Sequence, residues 1–139
     1  EVPLKKGVEG FLLRCKEQGI LLGIATSNSR ELVDNIVKVH HLDDYFTCVM
    51  TGCEVEKGKP APDIYLAVAN RLGVKPQECL VFEDIVQGIQ AGQAAGMKVC
   101  AVDDAFSKAQ EEEKRRLADY YIEDYTQLTD SLSAEFDVR

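Results

Sequence analysis

Clustered positive charge is what this sequence most plainly lacks. It has 16 Lys and Arg against 24 Asp and Glu, a net charge of −8, and no basic run. Nucleic acid and anionic membrane both select clustered Lys and Arg, so neither is expected as the main partner. Also missing is any apolar stretch of the length a bilayer requires, or a leader-like segment. Its five cysteines, at 15, 48, 53, 79 and 100, are odd in number and widely spaced, and form no C-x-x-C pair. They read as small buried hydrophobes in a reducing compartment, not as catalytic or metal-binding thiols. Internal repeats and low-complexity linkers are absent as well. What remains is a chain of 139 residues, 45% hydrophobic, expected to be one cytoplasmic domain over 1–139 and long enough to bury a core.

The most informative stretch that is present runs from Val81 to Met97. The apolar run Cys79-Leu80-Val81-Phe82 stops at two adjacent carboxylates, Glu83 and Asp84, followed by a helical segment carrying Gly88, Gly92 and Gly96. Buried parallel strands read as unbroken apolar runs, and ligands bind beyond their carboxyl ends. Adjacent carboxylates repel unless a cation or basic group lies between them, which suits Mg²⁺. The dipeptide alone equally allows Asp84 to act as the cap of the following helix.

Upstream, Val8, Phe11, Leu12 and Cys15 recur at helical spacing, and Gly19 ends that helix. Residues Ile20 to Ala25 read as a buried strand that halts at Thr26-Ser27-Asn28-Ser29. Strand, hydroxyl cluster and helix together form the layout of an anion site, where backbone N–H groups and the helix dipole favour negative charge. Simple capping by Ser29 or Asn28 is the alternative. The helix carries Leu32, Val33, Ile36 and Val37 and ends at His40-His41, read as a solvated helix terminus.

Tyr45 to Met50 is a further strand candidate, with Thr51-Gly52 as its turn. Lys59 sits between Gly58 and Pro60 in a loop stiffened by Pro60 and Pro62, and a helix begins near Asp63 with Ile64, Ala67, Val68 and Leu72 inward. An ammonium near Glu83 and Asp84 would offset their charge and hold a phosphate oxygen, although a lone loop lysine is ordinarily just solvated. Lys98 to Val102 is the next buried strand, ending at Asp103-Asp104, a second acidic pair ranked below the first. Ser107 is expected to open a surface helix with Glu111, Glu112 and Glu113 early and Lys114, Arg115 and Arg116 late. Tyr120-Tyr121-Ile122 reads as an edge strand, Tyr125, Leu128 and Leu132 as lining a last helix, and Ser133 to Arg139 as a frayed tail. Alternation of helix and strand throughout predicts an α/β class with a mainly parallel sheet.

Thr26-Ser27-Asn28, Lys59 and Glu83-Asp84 therefore belong at one carboxyl edge, where donors, an ammonium and a carboxylate-held metal would suit a phosphoryl group. Three segments, ATSNSR at 25–30, GKPAPDIY at 58–65 and VFEDIVQGIQAGQAAGM at 81–97, resemble the second, third and fourth motifs of the haloacid dehalogenase superfamily. The likeness is greatest to the branch that includes β-phosphoglucomutase and small-sugar phosphatases. The resemblance implies a three-layer α/β/α, Rossmann-like core and Mg²⁺-dependent phosphoryl transfer on a small phosphorylated metabolite through an aspartyl-phosphate. It implies that Thr26 and the backbone N–H of Ser27 bind the phosphate, that Lys59 steadies it, that Asp84 ligates Mg²⁺ directly and that Glu83 often acts through a metal-bound water. Asn28, Ser29 and Arg30 fall where some relatives touch substrate.

The superfamily's first motif, Asp-x-Asp-x-Thr/Val, which supplies the nucleophile, occurs nowhere in this sequence. In relatives its strand lies at the centre of the sheet, between the strand ending at Ala25 and the one ending at Phe82, and a cap domain follows it. The expectation is thus a core missing its first central strand, needing that strand and the cap from the rest of a parent chain. By itself it is expected to fold poorly and to be inactive. Two other readings stand beside this one: a receiver-like phosphoacceptor, whose acids would precede its Thr and Lys, and a non-catalytic phosphate-binding domain.

Overall fold

The structure is a computed structural model, and it describes residues 4–128. Helices and strands alternate: α1 (Val8–Glu17), β1 (Gly23–Thr26), α2 (Arg30–Val39), β2 (Cys48–Thr51), α3 (Asp63–Leu72), β3 (Leu80–Glu83), α4 (Val86–Ala94), β4 (Lys98–Val102), α5 (Glu111–Leu117) and β5 (Tyr120–Ile122). Among the described residues every strand pairing is parallel. Thr26 ends β1 opposite Thr51 of β2, Glu83 ends β3 opposite Ala101 of β4, and Val102 of β4 lies opposite Ile122 of β5. Among the described residues these pairings make two sheets, β1-β2 and β3-β4-β5. The expected gap at the centre of the sheet is thus visible as a break between β1 and β3.

Side chains of β4 alternate between two cores, as the two-residue period of a strand demands. Val99 and Ala101 face a cluster containing Ile64, Tyr65, Val68 and Ala69 of α3, Ile89 and Ala91 of α4, and Cys48 and Met50 of β2. Cys100 and Val102 face the opposite cluster, with Phe11, Leu12 and Cys15 of α1 and Ile122 of β5. Helices thus cover both faces, the three-layer α/β/α arrangement. Each fully buried aliphatic, such as Ile89 at 0% exposure, contributes roughly 2 kcal/mol. Close approach of α4 depends on its glycines. A Cβ added at Gly92 would stand 2.7 Å from Cγ2 of Val99, and one added at Gly88 would fall inside the Glu83 carboxylate.

Several expectations change. The strand read over Ile20 to Ala25 begins only at Gly23, and Ile20 and Leu21 are exposed. With a partner on one side only, β1 is not the buried strand its composition suggested. Tyr45 to Thr47 likewise lie outside β2, which begins at Cys48. Of the apolar side of α2, Val33 is buried and Leu32 is exposed, because a two-stranded sheet is too narrow to cover it. The segment opened by Ser107 is a 3-10 stretch, Ala105–Gln110, followed by a seven-residue α5. Lys114 is no surface residue: it is 1% exposed. Tyr125 belongs to a 3-10 turn, Tyr125–Gln127, while Leu132 and the tail from Ser133 lie outside the described residues. Cys15, Cys48 and Cys100 are buried as expected, but Cys53 is exposed on the turn after β2, and all five thiols are free. Among the described residues no helix is long and apolar enough to cross a membrane.

Candidate functional site

The carboxyl ends of β1 and β3 are joined by one side chain. Lys59, in the loop before α3, donates from its ammonium to the carbonyl of Ala25 at 3.2 Å and forms an ion pair with Glu83 at the end of β3. Both side chains are nearly buried, at 9% and 7% exposure. The Lys59–Pro60 peptide is cis. Tyr65, one turn into α3, donates its hydroxyl to the same Glu83 oxygen, and the Lys59 ammonium stands 5.1 Å from the Tyr65 ring centroid. Burial, and then the neighbouring Glu83 carboxylate, push the Tyr65 phenol far above its ordinary value, so it acts only as a donor. Glu83 is therefore held inward, with Gly88 giving it room.

Asp84 has the opposite environment. Its side chain is 40% exposed and lies 3.8 Å from the Lys5 ammonium, which also pairs with Asp104. The Lys5 ammonium, then the N–H of Phe106 and the Asp84 carboxyl, hold Asp104 below the usual carboxylate range. Asp84 does not cap α4. That position is Ile85, which offers no side-chain bond, and the N–H of Val86 is taken instead by Oε1 of Gln110 at 3.0 Å.

After β1, the hydroxyl of Thr26 accepts from the N–H of Asn28 at 3.1 Å, and Ser29 caps α2 by accepting from Leu32 at 3.2 Å. The capping role thus falls on Ser29 and leaves Ser27 and Asn28 exposed at the strand end. Arg30 is committed to β2 and the turn that follows it. Its guanidinium bonds Glu54 at 2.6 Å and the Val49 carbonyl at 2.8 Å, while Glu54 accepts from the N–H and hydroxyl of Thr51. These contacts anchor the start of α2 to the turn that follows β2.

A family model described as haloacid dehalogenase-like hydrolase matches residues 1–102. The chain belongs to that family. Hexitol phosphatase B of Escherichia coli (strain K12) is 34% identical over 127 residues, covering 91% of this chain and 56% of that protein. Among solved structures, CbbY from Rhodobacter sphaeroides in complex with phosphate superposes with a TM-score of 0.88 at 26% identity, over 99% of this chain and 60% of that one. A β-phosphoglucomutase from Clostridium difficile gives 0.77 at 26% identity, over 91% and 52%. The chain spans about half the length of the curated relatives it matches. The receiver-like reading, already disfavoured by the order of Thr26, Lys59 and Asp84, gives way to membership in the haloacid dehalogenase-like family.

Within this family fold, Lys59 and Glu83 meet in direct contact, Thr26 follows the carbonyl that Lys59 grips, and Asp84 opens to solvent beside them. Mg²⁺ is a hard cation that takes one or two carboxylates, with water and phosphate oxygens completing its octahedron. Among the described residues no three His, Cys, Asp or Glu side chains form a metal-binding group. The exposed oxygens of Asp84 match that donor chemistry, whereas the inward-held Glu83 is suited to orienting Lys59. Sequence reasoning missed Tyr65, whose aromatic character reads as core, and the convergence of Lys5 and Asp104 on Asp84. Only the acidic pair 103–104 signalled part of this.

Proposed function

We propose that this chain forms the phosphate- and Mg²⁺-binding edge of a phosphoryl-transfer enzyme, a phosphatase or phosphomutase acting on a small phosphorylated metabolite in the cytoplasm. The observation that carries the reading is the Lys59 ammonium, buried between the end of β1 and Glu83 at the end of β3. Thr26-Ser27-Asn28 directly follows the carbonyl that Lys59 grips, and Asp84 directly follows its carboxylate partner. Thr26 and Asn28 donate to phosphate oxygens together with the N–H of Ser27, and Lys59 offsets the charge of the group being transferred. Glu83 and Tyr65 hold Lys59 in place. Asp84 would ligate Mg²⁺, which when bound adds further charge stabilisation at the phosphoryl oxygens.

The nucleophile in this reading is an aspartate of an Asp-x-Asp-x-Thr/Val segment, which this sequence does not contain. The 139-residue chain alone is therefore expected to hydrolyse no phosphate ester. Joined to a segment that supplies that motif, it is expected to hydrolyse p-nitrophenyl phosphate with Mg²⁺, and Lys59→Ala or Asp84→Asn should each lower kcat by at least about 100-fold. Undiminished turnover in either variant would refute the assignment. Hydrolysis by the chain alone would refute the need for the missing motif. Hexitol phosphatase B supports a phosphatase by kinship and β-phosphoglucomutase supports a mutase.

A further inference from the structure

The turn that presents Asp84 is gripped by the segment that follows β4. The hydroxyl of Ser107 donates to the backbone carbonyl of Asp84 at 2.7 Å, and Oε1 of Gln110 accepts from the N–H of Val86 at 3.0 Å. Asp84 is thereby held on both sides of Ile85 by one 3-10 segment, Ala105–Gln110. The direction of the Ser107 bond is set by Lys114. That ammonium is 1% exposed and donates to the Val102 carbonyl at 2.8 Å and to Oγ of Ser107 at 3.0 Å, with the Tyr121 ring 5.9 Å away. An ammonium has only donors, so Oγ must accept from it and turn its own hydrogen outward. The Asp84 carbonyl at 2.7 Å takes that hydrogen in preference to the Asp104 carbonyl at 3.4 Å.

Burying an ammonium is costly. Desolvation lowers the proton affinity of Lys114, and the carboxylates of Asp84, Asp103 and Asp104 oppose that shift. A methionine in its place would fill the same space but would take the donor away from the Val102 carbonyl and from Oγ of Ser107.

We propose that Ser107, oriented by Lys114 and assisted by Gln110, is a positioning residue that fixes the turn carrying Asp84 in the geometry needed to bind a divalent cation. The cation part rests on the reading of Asp84 given above. The test follows amide hydrogen exchange and Mg²⁺ titration by ¹H–¹⁵N NMR in the protein joined to a segment that supplies the Asp-x-Asp motif, comparing the wild type with Ser107→Ala, Ser107→Thr and Lys114→Met. Loss of one net hydrogen bond corresponds to about fivefold. Val86 is thus expected to exchange about fivefold faster in Ser107→Ala and Lys114→Met, with the β4 amides of Val99 and Ala101 unchanged. Mg²⁺ affinity should fall by a similar factor, and Ser107→Thr should restore both. Unchanged Val86 exchange in Lys114→Met, or acceleration only in step with β4, would overturn the proposal. Equal Mg²⁺ affinity in a wild type and variants that all bind would overturn it too. If the wild type shows no Mg²⁺ shifts at Asp84, the metal reading fails, and the exchange rates still decide the positioning role.

Discussion

Replacing Gly88 by alanine tests whether the helix after β3 is shaped around a buried carboxylate. Gly88 is the third residue of α4, and Gly10 is the third residue of α1. Alanine is favoured over glycine inside a helix by about 1 kcal/mol, so propensity alone predicts that both substitutions stabilise. Their surroundings differ. Among the described residues a Cβ at Gly10 meets only Nη1 of Arg14, at 3.5 Å, whereas a Cβ at Gly88 overlaps the Glu83 carboxyl group. Moving that carboxylate breaks its bonds to Lys59 and Tyr65, and disrupting a buried pair costs about 3–5 kcal/mol. The net expectation is a loss of about 2–4 kcal/mol for Gly88→Ala and a gain of up to about 1 kcal/mol for Gly10→Ala. Urea unfolding of both variants, in the protein joined to a segment that supplies the missing strand, measures this. In a Glu83→Ala background the obstruction is gone, so Gly88→Ala should become neutral or stabilising, a coupling of about 3 kcal/mol in the double-mutant cycle. A Gly88→Ala protein at least as stable as wild type, with no coupling to Glu83, would refute the reasoning.

Lys59→Met should cost about 3 kcal/mol by leaving Glu83 buried without its cation, and pairing it with Glu83→Gln should recover part of that loss in the same urea assay. In thiol labelling of the native protein at pH 8, Cys53 should react first and Cys53→Ser should remove the fast phase. Burial raises the Cys15 and Cys100 thiols to about 11 and about 12, so both should stay protected until unfolding. Acid should weaken the fold through Asp103 and Asp104. The Tyr121 hydroxyl lowers Asp103 and the Lys5 ammonium lowers Asp104 from the ordinary 3.8. Folded-state values below the unfolded one mean that the stabilisation is complete above about pH 4 and is lost as pH falls through the folded values. A urea midpoint flat from pH 5 to pH 2.5 would contradict this, and Lys5→Ala should flatten the part due to Asp104.

Local pattern was enough to read α1, α3, α4 and β4, because each carries an apolar period that its own neighbours satisfy. The same pattern misled at Ile20 and Leu21, where an apolar run announces burial but burial needs strands on both sides. It misled at Lys114 for a related reason. A run of three acids followed by three bases looks like a solvated face, yet only the packing of α5 shows which base turns inward. Tyr65 was invisible as a site residue because a phenol in an apolar helix face has the same sequence signature whether or not its hydroxyl has a partner.

The sequence by itself determined the order of elements, the parallel α/β class, the placement of Thr26, Glu83 and Asp84 at strand ends and that of Lys59 in the loop before α3. Strand runs and turn residues are local, and parallel connections deliver successive carboxyl ends to one edge. Only the tertiary structure decided how the two adjacent acids divide their work. Glu83 turns inward to Lys59 and Tyr65 because Gly88 leaves space for it, and Asp84 turns outward on a turn whose carbonyl at Asp84 accepts from Ser107 and whose N–H at Val86 donates to Gln110. Neighbouring residues on a strand end point to opposite sides, and which side offers a buried cation is set by helices far away in sequence.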